Sequence, residues 1–364
     1  MNFTNTPKDF EKMTKLKNIT ELSHLFGSED FVKGGGGNSS CKDEKTMWVK
    51  PSGTTLAGIS EESFIALERG KITSLFSSKV PSLAADREKL VQRMMISAVK
   101  YGYKGRPSIE APLHNMLNAV YVVHTHPALV NGMTCSREGQ KKCAELFPEA
   151  LWVDYFNPGF SLCMGLKEVL EDYKIKHGKE PELIFLKNHG VFVSSDTTEG
   201  VSDTYYSMMA TLRNFYQLSG IDQAMPEQSP VATDSEEMVK DLMGDFGGYS
   251  KTNSPFEICP GPLSPDHIVY SKSRPYEGRL SAEDIILFRE KYGFSPRVFV
   301  AEEAIITIGA TQKSADLVML FARDAALVFR LTSAFGGASF MSREAAEFIE
   351  NWEAESYRMR VAEK

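Results

Sequence analysis

Long apolar runs are missing from these 364 residues. The greasiest stretch, Leu317 to Leu331, is broken by Arg323, Asp324 and Arg330, so it does not read as a membrane span. Cysteine is scarce. Cys41, Cys135, Cys143, Cys163 and Cys259 are scattered, odd in number and nowhere in C-x-x-C spacing, which argues against a thiolate metal cluster. The start, Met1 to Lys8, lacks the apolar core of a signal peptide, and with the cysteine usage this points to a reducing cytoplasm. An excess of basic charge is absent too. The formal net charge is −7 with the signs interspersed, which leaves no basic face for a phosphate backbone and makes nucleic acid an unexpected partner. No internal repeat is visible, and nowhere does a glycine trio follow a strand with dinucleotide-binding spacing. Small molecules are the expected ligands.

The chain is longer than the usual single hydrophobic core, so a larger and a smaller domain are expected. From Leu16 to about Gln223, helical periodicity alternates with short apolar runs, the pattern of a sheet covered by helices. The spacing predicts helices over Glu61 to Glu68, Asp86 to Lys100, Glu110 to Ala119, Ser136 to Leu146, Leu162 to Lys176 and Thr197 to Leu218. Strands are expected at Met47 to Lys50, Val120 to His124, Leu183 to Lys187 and Gly190 to Ser194. Proline, serine and acidic residues thicken from Pro226 to Glu237, and Gly247 to Pro265 is rich in glycine and proline. The boundary is placed there, giving domains of residues 1–225 and 226–364. The second reads as a small α/β domain, with helices near Ser281 to Lys291, Ser314 to Ala334 and Ser342 to Arg360, and strands at Arg297 to Val300 and Ala304 to Gly309.

Among the seven histidines, two lie one residue apart at the end of a strand-like run, Val120 to Pro127. Side chains alternate along a strand, so His124 and His126 project to the same side about 7 Å apart along the chain, and Thr125 points away. Pro127 is suited to open the next helix. A third histidine follows another apolar run, in Asn188-His189-Gly190. Three neutral imidazoles with a carboxylate or water fill a tetrahedral zinc shell, though manganese and cobalt also fit. The carboxylate is Glu110, in Arg106-Pro107-Ser108-Ile109-Glu110. Ser108 reads as an N-cap, with Glu110 in the first turn and His114 one turn on, packing or supporting the acid from behind. His24, His177 and His267 lie in polar stretches and read as solvated. Lys33-Gly34-Gly35-Gly36-Gly37-Asn38 and Pro51-Ser52-Gly53-Thr54 offer backbone N–H groups and hydroxyls of the kind that hold an anion.

Taken together and in this order, Gly37-Asn38, Ser52-Gly53-Thr54, Ser108 with Glu110, His124-Thr125-His126-Pro127 and Asn188-His189-Gly190 resemble the class II aldolase/adducin family of zinc-dependent sugar aldolases and epimerases. The resemblance spans about Leu16 to Leu218. It implies a central mixed sheet covered by helices on both faces, metal ligands at His124, His126 and His189, and a catalytic acid at Glu110. Gly37, Asn38, Ser52, Gly53 and Ser108 match the segments that hold a phosphate or other anionic end. Tyr155, in Tyr155-Phe156-Asn157-Pro158-Gly159, corresponds to a catalytic tyrosine that reaches a neighbouring subunit's site. A homotetramer is implied as well. The tail, at Ser264 to Val269 and Phe348 to Glu353, resembles the stretch after the aldolase part of bifunctional rhamnulose-phosphate aldolase/dehydrogenase proteins. No nicotinamide cofactor is implied.

The reaction so implied is cleavage of a ketose or ketose 1-phosphate through an enediolate whose charge the metal neutralises. Glu110 would move the proton and Tyr155 would serve the aldehyde oxygen. Two rivals stand beside it. One keeps the fold and becomes an epimerase or decarboxylase of a sugar phosphate or sugar acid. The other is a non-catalytic adducin-like interaction module, against which the complete histidine set argues.

Overall fold

The computed structural model describes residues 7–244 and 248–352. Their contacts divide them into two compact units: residues 7–130 with 143–211, and residues 131–142 with 212–244 and 248–352.

The first unit is built on strands β1 (Asn38–Lys42), β2 (Thr46–Val49), β3 (Ile65–Glu68), β4 (Tyr121–Thr125), β5 (Leu151–Val153), β6 (Leu183–Leu186) and β7 (Gly190–Ser195). They form one mixed sheet in the order β3-β2-β1-β4-β7-β6-β5, antiparallel throughout except for the β5–β6 pair. The helices are α1 (Pro7–Leu25), α2 (Arg69–Ser74), α3 (Ala84–Ala98), α4 (Ala111–Met116), α5 (Ala128–Thr134), α6 (Gly139–Leu146), α7 (Phe160–His177) and α8 (Thr198–Leu218), of which α5, α6 and α8 run across the division between units.

Alternation along β1 and β4 sorts the side chains onto two helical layers. Val122 joins Leu113, Leu117, Leu166, Leu170, Ile184 and Phe192 in a core beneath α4 and α7. Met47, Val49, Ile65 and Leu67 continue that layer under α2 and α3. On the opposite face the Tyr205 hydroxyl of α8 bonds the Val123 carbonyl and Thr125 Oγ1, and Ser23 of α1 bonds Ser39. Helices therefore cover both faces, as expected.

Some expectations differ. Glu61 to Glu68 is not a helix: only Glu61–Ser63 makes a 3-10 turn, and Ile65–Glu68 is β3. Its apolar run is too short for periodicity to tell strand from helix, and pairing with β2 decides it. β1 escaped the reading because it is polar throughout, Asn-Ser-Ser-Cys-Lys, yet wholly buried.

The second unit carries β8 (Tyr249–Asn253), β9 (Val298–Val300) and β10 (Ile305–Gly309) in the antiparallel order β8-β10-β9. Its helices are α9 (Asp234–Met243), α10 (Pro265–Ser271), α11 (Ala282–Tyr292), α12 (Gln312–Leu331) and α13 (Arg343–Asn351). Val239, Phe288, Phe299 and Ile306 pack on one side of the sheet, and Val298, Ile305, Val318 and Met319 on the other. The linker-like stretch thus holds the start of α9, capped by Thr233, and Gly247 to Pro265 contains β8. Residues 353–360 of the last expected helix, Gly247 and Glu353 lie outside the described residues. His267 is not solvated but 4% exposed, its Nε2 2.9 Å from Asp324 Oδ2 and its Nδ1 3.1 Å from Ser264 Oγ. Polar neighbours in sequence concealed a helix whose seven residues are all buried.

Candidate active site

The C-terminal ends of β2 and β4 and the N-terminal ends of β1 and β7 meet at one end of the first unit's sheet. Asn38 stands opposite His124 in the β1–β4 register. β-Branched residues before His124 favour the strand that carries it, and α5 begins two residues after His126, just past Pro127.

His189 arrives from the turn Lys187-Asn188-His189 between β6 and β7. Asn188 adopts φ 53°, a left-handed conformation that asparagine tolerates in such hairpin turns. Gly190 then lets the strand come close: a Cβ there would lie 2.4 Å from the Thr125 carbonyl oxygen and 2.6 Å from His126 Cδ2. Gly37, at φ +63°, similarly approaches the backbone of His124, whose carbonyl oxygen a Cβ would meet at 2.7 Å.

His124, His126 and His189 are buried, and one nitrogen from each lies within 4.8 Å of the others. Nε2 of His126 and Nε2 of His124 are 2.9 Å apart. Nδ1 of His124 lies 2.9 Å from the Val191 carbonyl, which can only accept, so the ring proton sits there and Nε2 presents a lone pair. Phe192 stacks on the same ring at 4.1 Å and fixes its plane. Burial drives His124 well below its ordinary pKa, keeping it in the neutral state that ligates metals.

Glu110 completes the cluster. Oε2 lies 3.5 Å from His124 Nε2, and Oε1 lies 3.4 Å from His189 Nε2. Burial works against its charge; the facing histidine nitrogens, to whatever extent they carry a proton, and the Asn38 amide pull the other way and lower its pKa, favouring the carboxylate. Asn38 Nδ2 donates to Oε2 at 2.5 Å, and Oε1 is buried with no hydrogen-bond partner among the described residues. Nitrogen ligands at 2.0–2.1 Å from one tetrahedral ion stand about 3.4 Å from each other. Three imidazole nitrogens and an unsatisfied carboxylate oxygen at this spacing therefore fit a divalent cation.

Ser108 does not cap α4. The helix starts at Ala111 with Glu110 itself at the cap position, and Ser108 Oγ accepts instead from the Glu110 N–H at 3.3 Å. Residues 108–111 form a turn closed by the Ala111 N–H on the Ser108 carbonyl at 3.1 Å, and regular α-helix begins only after it. His114 hydrogen-bonds Asn38 Oδ1 through Nε2 and Ser40 Oγ at 2.8 Å through Nδ1. Burial and then Lys42 push its pKa down to about 3, so it is neutral.

Of the residues expected to hold an anion, Gly37 and Asn38 adjoin the histidines, and Asn38's side chain is engaged with Glu110 and His114. Ser52 and Gly53 form a turn after β2 that meets the Ser108 segment through the Pro51–Pro107 bridge and a 2.9 Å bond from Ser52 N to Arg106 O. Tyr155 lies two residues past β5, three strand spacings from β4 but beside β6, whose following turn carries His189 and bonds the end of β5 through Lys187 N to Val153 O at 2.9 Å; its hydroxyl donates to Asn157 Oδ1 at 3.0 Å. Ser40, Lys42 and Phe192 were not anticipated. Ser40 and Lys42 lie two and four residues past Asn38, so recognising β1 as a strand would have placed them on its face.

A family model described as "Class II Aldolase and Adducin N-terminal domain" matches residues 17–215. An uncharacterized oxidoreductase of Bacillus subtilis, YuxG, is 29% identical over 210 residues, which cover 52% of this chain but 28% of that protein. The chain thus matches little more than a quarter of that relative's length. An L-fuculose phosphate aldolase of Methanococcus maripaludis is 26% identical over 203 residues, 52% of this chain and 89% of that one. Among solved structures, the N-terminal class II aldolase domain of a conserved Thermoplasma acidophilum protein superposes with TM-score 0.48 at 23% identity, covering 55% of this chain and 92% of the other.

Proposed function

This chain belongs to the class II aldolase and adducin family, and on that footing we propose that it is a metal-dependent aldolase cleaving a ketose or ketose 1-phosphate. The observation that carries the proposal is the convergence of His124, His126, His189 and Glu110 on one buried point. Zinc is the proposed ion, held by the three histidines, because imidazole nitrogen suits it. When bound, it would supply Lewis-acid neutralisation of negative charge developing beside the carbon–carbon bond that breaks.

The chain's own residues do the rest. As the carbon–carbon bond breaks, the hydroxyl on the aldehyde side gives up its proton and the carbon left with the electron pair gains one; Glu110 delivers that proton, and takes it in the reverse direction, through the oxygen that Asn38 does not hold. Asn38 fixes that carboxylate by binding Oε2, and neutral His114 fixes Asn38 in turn. Phe192 and the core behind it keep water from the inner side of the histidines. Gly37, Asn38, Ser52, Gly53 and Ser108 form the proposed seat for the substrate's anionic end. Tyr155 is proposed to serve the aldehyde oxygen in a neighbouring copy of a homotetramer.

Catalysis is assigned to residues 1–225, with 226–364 as a separate α/β domain, and the protein to the cytoplasm. In support, all five cysteines are free thiols, and no helix among the described residues is long and apolar enough to cross a membrane. The test is to incubate metal-loaded protein with a panel of ketose 1-phosphates and sugar acids. Released aldehyde is the expected product. A stereoisomer alone would mean an epimerase, carbon dioxide a decarboxylase, and no turnover with no bound metal an interaction module.

A further inference from the structure

At the end of the sheet opposite the histidines lies a cleft of about 770 Å³, within the range of small-molecule sites. It opens where β1 ends, β2 begins and β4 begins, and it is lined by Lys12, Lys15, Lys42, Lys45, Arg69 and Lys100. Glu11, Asp43 and Glu44 line it with these six cations, and Glu180 and Asp196, bonded to the lining residues Asn118 and Val120, act on Lys42 from its rim; of these acids, Glu11 and Asp43 are engaged within the cleft. Glu11 pairs with Lys15 at 2.6 Å, and Asp43 Oδ1 accepts the backbone N–H groups of Lys45 and Thr46. Trp48 supplies a flat, nearly buried wall.

Two of these cations have an unusual setting. Lys42 is 2% exposed, and its Nζ donates to the carbonyls of His114 at 2.5 Å and Leu117 at 2.7 Å, so one of the ammonium's three hydrogens has no acceptor among the described residues. Arg69 donates to the Asn115 side chain and carbonyl and to the Asp43 carbonyl. The carbonyls that end α4, those of His114, Asn115 and Leu117, are thus held by cations of the cleft, while the opposite end of the same six-residue helix is Glu110.

We propose that this cleft is a second ligand site, separate from the histidine cluster, for a small phosphomonoester whose binding is felt at Glu110 through Lys42, Arg69 and α4. A phosphate dianion supplies the acceptor the buried ammonium lacks and answers the excess of positive charge. It also competes with the α4 carbonyls for the same donors. Burial and then Arg69 push Lys42 down to about 7, against Glu180, Cys41 and Asp196, which favour its charge; a bound dianion adds to the latter side, so binding at neutral pH is accompanied by proton uptake.

Trp48 reports on the cleft directly. With Trp152→Phe and Trp352→Phe it is the sole indole of the full chain. Sodium phosphate, glucose 6-phosphate and adenosine monophosphate are titrated at constant ionic strength against chloride, and hydrogen exchange of the α4 amides is followed with and without ligand. The expected result is a saturable change in Trp48 emission, weakened roughly tenfold or more by Lys45→Met with Lys100→Met, and altered exchange over residues 113–116. A stronger response to either organic phosphate than to inorganic phosphate identifies the class that the cleft takes. A response equal to that of chloride, or one unchanged by the double substitution, overturns the site. Saturable binding with unchanged α4 exchange overturns the linkage to Glu110. Loss of metal or of aldol activity leaves this readout intact, so failure here and failure of the proposed reaction are separable.

Discussion

Asn38 holds Glu110: its amide nitrogen lies 2.5 Å from Oε2, and its carbonyl oxygen is bound on the other side by His114. One asparagine at the start of β1 thereby fixes which carboxylate oxygen is committed to the protein and which faces His189. Replacing Asn38 with alanine should strip two buried groups of their partner. We expect a loss of about 1–3 kcal/mol in stability by denaturant unfolding and a fall in turnover of about 10–100-fold with metal still bound. Unchanged turnover would show that Glu110 needs no such anchor.

Glu110→Gln keeps the shape and the Asn38 contact but cannot take a proton. Aldol cleavage should drop by about 10²–10⁴-fold while metal content, read by elemental analysis, stays near that of the parent. Full turnover would remove Glu110 from its assigned role.

His189→Ala removes one of the three proposed metal ligands without altering β4. Metal content and activity should be lost together, and a chelator should do the same to the parent protein, reversibly on adding back a divalent ion. A variant that retains its metal would break the three-histidine assignment.

How much of this could be read from residues alone depended on the element. The histidine pair stood out because β4 is apolar and β-branched up to His124, so alternation fixed the direction of both rings. Glu110 was found but its cap geometry was not, since Ser108 bonds the Glu110 and Ala111 N–H groups in a turn that precedes the helix, a distinction that residue types do not reveal. The polar strand β1 was invisible to hydrophobic periodicity although it supplies Asn38, Ser40 and Lys42, because its residues are buried against hydrogen-bonding partners and not against a core. His267 failed for the same reason, its burial resting on Ser264 and Asp324, which are far from each other in sequence.

Gly190→Ala tests the close approach of β7. The added methyl would meet the Thr125 carbonyl and the His126 ring well inside contact distance. A loss of about 1–3 kcal/mol is expected, with weakened metal binding as His126 is displaced. Parent-like metal affinity would mean that the hairpin shifts without carrying the ring.

Lys42 gives the pH dependence a sign. Its folded pKa of about 7 lies below the ordinary lysine value of 10.5, so between these limits the unfolded chain binds more protons than the folded one. Stability contributed by this group should therefore rise with pH from about 7 toward 10.5 and be at its minimum below 7. Comparing unfolding free energies of the parent and Lys42→Met across that window should show the difference shifting in the parent's favour. A flat difference would place the Lys42 pKa near its usual value.

His189 comes from a hairpin and His124 from a strand 65 positions earlier, with Asn38 and Glu110 drawn from elsewhere again. Such a cluster has no local precursor along the polypeptide. β4 and the β6–β7 hairpin must find one another, at the entropic cost of closing a long loop, before His189 can join the His124–His126 pair. Completion of the proposed ion site would then be a late event in maturation, with a nascent chain offering at most the His124–His126 pair until β7 is in register.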